Sequence, residues 1–128
     1  MVDASVLVQA LGDDGDAGNL ARQHLRGQRL AAPELIDLEI ISAWRKHHAL
    51  GRMTAERSER ARADLQRLPL QRISHRPLAS RCWELRDNLT PYDAAYVAVA
   101  ELFGATLVTA DVALARAPGP LCCIELLA

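Results

Sequence analysis

Lysine is nearly missing from this chain: Lys46 is the only one in 128 residues, so almost all positive charge is arginine. The 15 basic residues face 16 acids, leaving a formal net charge of −1. That excludes the global basic field of a protein that coats nucleic acid, but not a local basic patch. Aromatics are scarce at 4%, so alanine, leucine and valine must fill the core. Cysteine is limited to Cys82, Cys122 and Cys123, with no C-x-x-C and no even framework. The plain reading is a reduced, cytoplasmic chain. No apolar run approaches a membrane span, and "MVDASVLVQALGDD" lacks the basic lead of a signal peptide.

What is there is half apolar, which suits one core in a single domain over residues 1–128. Residues 1–8 are valine-rich and read as a short buried strand passing into a turn or helix. "GDDGDAG", residues 12–18, is a loop, with Asp16 able to cap a helix over "AGNLARQHLRG" that ends near Gly27. "LAAP", residues 30–33, fits a strand, with Pro33 opening the next helix, which should stop at Gly51. Thr54 opens a polar helix, and "LQRIS" reads as a strand. "PLASRCWELRDNL" is amphipathic, with Leu78, Cys82, Leu85 and Leu89 on one stripe. A helix over Pro91–Phe103 is stopped by Gly104. "ATLVTA" is a strand, Asp111 starts a turn or short helix, and "LCCIEL" is a last strand. Strands alternating with helices predict an α/β fold: a three-layer α/β/α sandwich on a mostly parallel sheet. Sites in such sheets lie at the carboxyl ends of the strands.

Four acids fall where those ends should be. Asp93 sits at the third position of a helix opened by Thr90 and Pro91, where a capping box alone could explain it. The helix behind it, "AAYVAVA", is apolar nearly all round and should be buried. Asp111 follows the strand "TLVT", where turn chemistry is the plain alternative; Thr109 points to the same rim, because strand side chains alternate. Asp3 lies in or just after the first strand, and a carboxylate among apolar residues is costly unless paired or wet. Glu39 is two residues from Asp37 on one helix, about 200° around the axis, so the two cannot share the solvent face. Glu39 borders the core, the alternative being a pairing with an arginine.

Close carboxylates repel by about 4 kcal/mol per pair at an effective dielectric of 20. One shared cause explains four such acids better than four separate ones: cations that settle them. Oxygen ligands without histidine or cysteine select Mg²⁺ or Mn²⁺, and those ions serve phosphoryl chemistry.

"VDASVLV", "PELIDLEIISAWRK", "LTPYDAAYVAVAELFGATLVTAD" and "LARA", in this order, resemble the PIN-domain ribonucleases, in particular the VapC-type toxins of bacterial toxin–antitoxin pairs. The resemblance covers essentially the whole chain. It implies catalytic acids at Asp3, Glu39, Asp93 and Asp111, with Asp3 and Asp93 the direct metal ligands. Ser5 and Thr109 map onto the family's hydroxyl positions, on the substrate side. It further implies RNA as substrate, a small cognate antitoxin as partner and a homodimer. The densest basic run, "RKHHALGR" at residues 45–52, is a candidate for phosphate contacts, or else a solvated helix end.

Other signals carry less. "DDGD" fails the calcium-loop pattern, since counting from Asp14 the sixth residue is Asn19 and the twelfth Leu25. His47 and His48 are adjacent and cannot face one zinc from a helix. Cys122 and Cys123 read as buried hydrophobes in a strand, and Trp44 and Trp83 as core residues. A phospho-acceptor receiver domain needs a lysine at a late strand end, whereas Lys46 is on a helix. A non-catalytic module that offers its acids to a basic partner remains the competing class.

Overall fold

A computed structural model describes residues 1–127. The elements run α1 (Ala4–Gly12), α2 (Asp16–Leu25), β1 (Leu30–Pro33), α3 (Ile36–Ala49), α4 (Ala55–Arg67), β2 (Leu70–Ile73), a 3-10 turn (Arg76–Leu78), α5 (Ala79–Glu84), α6 (Pro91–Phe103), β3 (Leu107–Thr109), α7 (Val112–Arg116) and β4 (Ile124–Leu126). β1 pairs in parallel with β2, Leu30 opposite Leu70, and β3 in parallel with β4, Leu107 opposite Ile124. The N-terminal residues join the two pairs. Val2 donates its N–H to the Ala31 carbonyl, Asp3 donates to Val108, and Val108 donates to Met1. The chain start thus runs as a central rung between β1 and β3, with a parallel bridge from Val2 to Val108.

Helices flank these strands in two groups. α1 packs on α2, α3, α4 and β3, while α6 packs on α5, the 3-10 turn, β1 and β3. This is the expected α/β/α arrangement of parallel strands. Ala94 to Ala100 of α6 are all buried, as its all-round apolar sequence requires. Thr90 caps α6 by accepting the Asp93 N–H, and Gly104 ends it with a φ of 59°, a left-handed conformation that a side chain would resist. Among the described residues no helix is long and apolar enough to cross a membrane.

Several expectations shift in detail. The first strand is not residues 1–8: Asp3 accepts the Ala4 N–H and starts α1 there. Val6 and Leu7 are completely buried within that helix, so packing overrides the strand preference of valine. Pro33 closes β1 rather than opening α3, and Glu34 continues the ladder by donating to the Ile73 carbonyl at 2.9 Å. Gly15, not Asp16, occupies the cap position of α2, which ends at Leu25. Cys122 and Cys123 precede β4, and Cys123 is exposed. Trp44 is buried as expected, but Trp83 is 68% exposed, with the Arg86 guanidinium 4.5 Å from its ring centre. Trp83 lies two positions before Leu85, about 200° around the helix axis, and so faces away from the buried stripe of Leu78, Leu85 and Leu89.

α1 and α2 meet so closely at Gly18 that a Cβ there would lie 1.8 Å from the Asp13 carbonyl oxygen. The obstacle is backbone and cannot rotate away. Gly18→Ala is therefore expected to destabilise the domain by about 1–3 kcal/mol, the usual cost of overpacking, measured by denaturant unfolding.

Candidate active site

Asp3 stands where the central rung ends and α1 begins, only 7% exposed. Its Oδ1 accepts the Ala4 N–H at 2.8 Å. Its Oδ2 accepts the hydroxyls of Ser5 and Thr109, each at 2.8 Å. All three donors are neutral. Each hydroxyl is itself fixed by a backbone N–H: Ser5 Oγ accepts from Ala110 at 3.0 Å, and Thr109 Oγ1 from Asp111 at 3.0 Å. Ser5 and Thr109 were expected to face substrate. The structure commits their protons to Asp3, so they orient that carboxylate.

Asp93 occupies the third position of α6. Its N–H donates to Thr90 Oγ1 at 3.2 Å, so the Thr90 half of the capping box exists. Burial, then the charges of Asp3 and Asp111, push its carboxyl above the ordinary 3.8, with the Thr90 side chain opposing. Glu39, in the first turns of α3, is half-buried. Burial raises its carboxyl above the ordinary 4.5; the hydrogen bond from Tyr96 opposes this, and the charges of Asp3 and Asp93 add to it. Tyr96 donates its O–H to Glu39 Oε1. Asp111 caps α7, its Oδ1 accepting from Ala113 at 2.9 Å and Leu114 at 3.4 Å. The turn chemistry weighed for Asp111 is therefore real, and it coexists with proximity to Asp93.

Electrostatically the four acids form one neighbourhood, since Asp93 senses Asp3 and Asp111, and Glu39 senses Asp3 and Asp93. They do not form a finished cage: among the described residues no three Asp, Glu, His or Cys side chains are grouped closely enough to hold a metal ion. None of the four makes an ion pair among the described residues, whereas Asp37, Glu101 and Asp14 are bridged by Arg72, Arg81 and Arg57. The arginine weighed for Glu39 goes to Asp37 instead, at 2.6 and 2.8 Å. The basic run at residues 45–52 continues α3 away from the rim, with Arg45 and Lys46 exposed. His47 and Arg52 line a separate cleft with Asp13, Asp14, Arg57 and Arg60. Sequence reasoning missed Tyr96. Its signal is the spacing of three from Asp93, which puts both on one side of α6.

Parallel strands with a carboxylate-rich rim at their carboxyl ends define an α/β domain built around an acidic site. The family model described as PIN domain matches residues 1–120, and the chain belongs to the PIN-domain family. It is 42% identical over 114 residues to Ribonuclease VapC9 of Mycobacterium tuberculosis, covering 89% of this chain and 87% of the relative. It is equally similar to VapC ribonuclease Mb0985 of Mycobacterium bovis. Ribonuclease VapC1 of Mycobacterium tuberculosis is 38% identical over 130 residues, covering 98% of this chain and 96% of that one.

Two outcomes follow from the geometry. Thr109 is fully buried, so Thr109→Val keeps the shape but leaves the Asp111 N–H unpaired and Asp3 one donor short. The expected cost is about 1–3 kcal/mol, while Thr109→Ser retains most stability; thermal unfolding of both decides it. Asp93→Asn keeps the backbone cap and removes a charge disfavoured by its neighbours. A carboxyl raised in the fold weakens stability above its folded pKa, and that penalty vanishes as pH falls towards 3.8. Without metal, Asp93→Asn should melt at or above the wild-type temperature at neutral pH, with the gap closing on acidification. Marked loss at pH 7 would mean that the helix-dipole contribution of Asp93 dominates.

Proposed function

We propose that this chain is a metal-dependent endoribonuclease, the toxin of a type II toxin–antitoxin pair, which hydrolyses RNA phosphodiesters to 5′-phosphate and 3′-hydroxyl ends. One observation carries the reading. Four carboxylates from separate elements share a rim with no arginine or lysine paired to any of them among the described residues, whereas the partly buried Asp37 and Glu101 are each bridged by an arginine. The relatives named as ribonucleases support it.

The donors are all hard oxygens, the set that suits Mg²⁺ or Mn²⁺. Asp3 and Asp93 are the proposed ligands, with Glu39 and Asp111 completing the negative rim. When bound, such an ion supplies Lewis acidity and a more acidic water. The protein's own part is positional. Ser5, Thr109 and the Ala4 N–H hold Asp3 in one rotamer. Thr90 sets the first turn of α6 and with it Asp93. Asp111 is anchored by the N–H groups of α7.

The proposal extends to a cytoplasmic protein, one domain over residues 1–128 (Ala128 lies outside the described residues), acting as a homodimer and silenced by a small cognate antitoxin. The exposed apolar side chains Leu38, Trp83, Tyr92, Leu102 and Leu121 provide surface for such contacts. Light scattering tests the dimer.

The absence of a ready-made three-acid group among the described residues favours a second reading, a non-catalytic module whose acids bind a basic partner. Metal separates the two. Mn²⁺ at about 100 times its dissociation constant should add roughly 2.7 kcal/mol of stability; an unchanged melting temperature would favour the module. For the nuclease, RNA cleavage with Mg²⁺ or Mn²⁺ should fall at least about 100-fold in Asp93→Asn, because electrostatic stabilisation worth several kcal/mol is removed. Equal cleavage by both proteins overturns the assignment.

A further inference from the structure

We propose that Tyr96 is a positioning residue of the acidic rim: its buried hydroxyl ties Glu39 on α3 to α6, and so sets where Glu39 stands against Asp3 and Asp93. The kinetic consequence rests on the nuclease reading above; the contact itself does not.

Tyr96 is the largest fully buried side chain, 1% exposed. A buried phenol needs a partner for its O–H, and the partner here is Glu39 Oε1, at 2.5 Å. The charge of Asp3 reaches the same phenol, so the hydroxyl that holds Glu39 lies near a second rim acid from a different element. Asp93 lies three residues earlier on the same helix, so any shift of α6 moves Asp93 and the anchor of Glu39 together.

The choice of donor is informative. A half-buried carboxylate is costly without a hydrogen bond, and α3 shows the ordinary solution two residues away. There Arg72 grips Asp37 with two N–H donors. A guanidinium placed on Glu39 would hold it equally well but cancel its charge. A neutral phenol fixes one oxygen and leaves the full negative charge in the rim, where a divalent cation needs it. Residues that orient a metal site's ligands from behind typically matter by about 10–100-fold in metal affinity or activity.

Tyr96→Phe keeps the ring and deletes only this hydroxyl, and the test uses the full chain in two arms. In the first, melting temperatures without metal are compared for wild type, Tyr96→Phe, Glu39→Ala and the double variant. The expected result is non-additive, with Tyr96→Phe lowering the wild-type melting temperature and having little effect once Glu39 is gone. Additive shifts overturn the proposal. In the second, Tyr96→Phe should lower kcat for RNA cleavage by about tenfold or more with KM nearly unchanged, and should raise the Mn²⁺ midpoint of thermal stabilisation. Ala21→Gly, a buried change in α2 remote from the rim, serves as a control of lowered stability with wild-type kcat. An unchanged kcat together with an unchanged Mn²⁺ midpoint sinks the positioning role. If the wild-type protein cleaves no RNA, the nuclease reading fails by itself, and the melting cycle and Mn²⁺ midpoint still decide the role of Tyr96.

Discussion

The rim is organised around a single constraint: the Asp3 carboxyl group must be held fixed while only 7% exposed. An isolated carboxylate there would be prohibitively unfavourable, and among the described residues no arginine, lysine or histidine pairs with it. Three neutral hydrogen bonds do part of that work. They also explain the local chain path. Accepting the Ala4 N–H makes Asp3 the cap of α1 and ends the central rung after two residues. Accepting from Ser5 and Thr109 locks α1 to β3, and both hydroxyls are pinned in turn by the N–H groups of Ala110 and Asp111. The loop that carries Asp111 is therefore tied to Asp3 through Thr109. Capping, strand termination and site geometry are one network, so a substitution in it disturbs all three.

Charge placement separates the acids that hold the fold from those that open onto the rim. Glu101 is held below its ordinary range by the Arg81 guanidinium and also accepts the Leu121 N–H. Its contribution to stability is present above its unfolded pKa and fades as pH falls through the lowered folded value. Glu39 and Asp93 are shifted the opposite way, chiefly by burial. The folded state gains by protonating them, so at neutral pH they oppose folding. A domain retains such groups where activity rather than stability selects them.

The pattern of strands and helices was legible because its signals are local. Thr90-Pro91 and Gly104 bracket α6, Thr54 caps α4, and Leu30–Pro33 and Leu70–Ile73 carry strand patterns over four residues each. The four acids were legible because strand ends in an α/β topology converge. Failures came where a distant partner decides. Val6 and Val8 favour a strand by themselves, yet Asp3 and the packing of α1 make them helical. Trp83 reads as core by residue type, but it lies about 200° around the helix from Leu85 and is exposed. Glu39 and Asp37 look equally able to pair with an arginine, and only the placement of β2 shows that Arg72 reaches Asp37.

α3 thus contains its own comparison. Asp37 and Glu39 lie two residues apart on one helix, each partly buried and each hydrogen-bonded by a residue more than thirty positions away. One partner is a cation and the other a neutral phenol. If stability alone had shaped the site, an arginine would serve Glu39 as well as it serves Asp37, since a charged donor binds a carboxylate roughly twice as strongly as a neutral one. Using the weaker donor on the rim side preserves negative charge where Asp3, Asp93 and Asp111 already supply it. Repulsion among them grows as the dielectric falls, and the fold resists it through neutral hydrogen bonds without neutralising it. A domain that spends its arginines on Asp37, Glu101 and Asp14, and none on these four acids, keeps that charge for something that binds from outside.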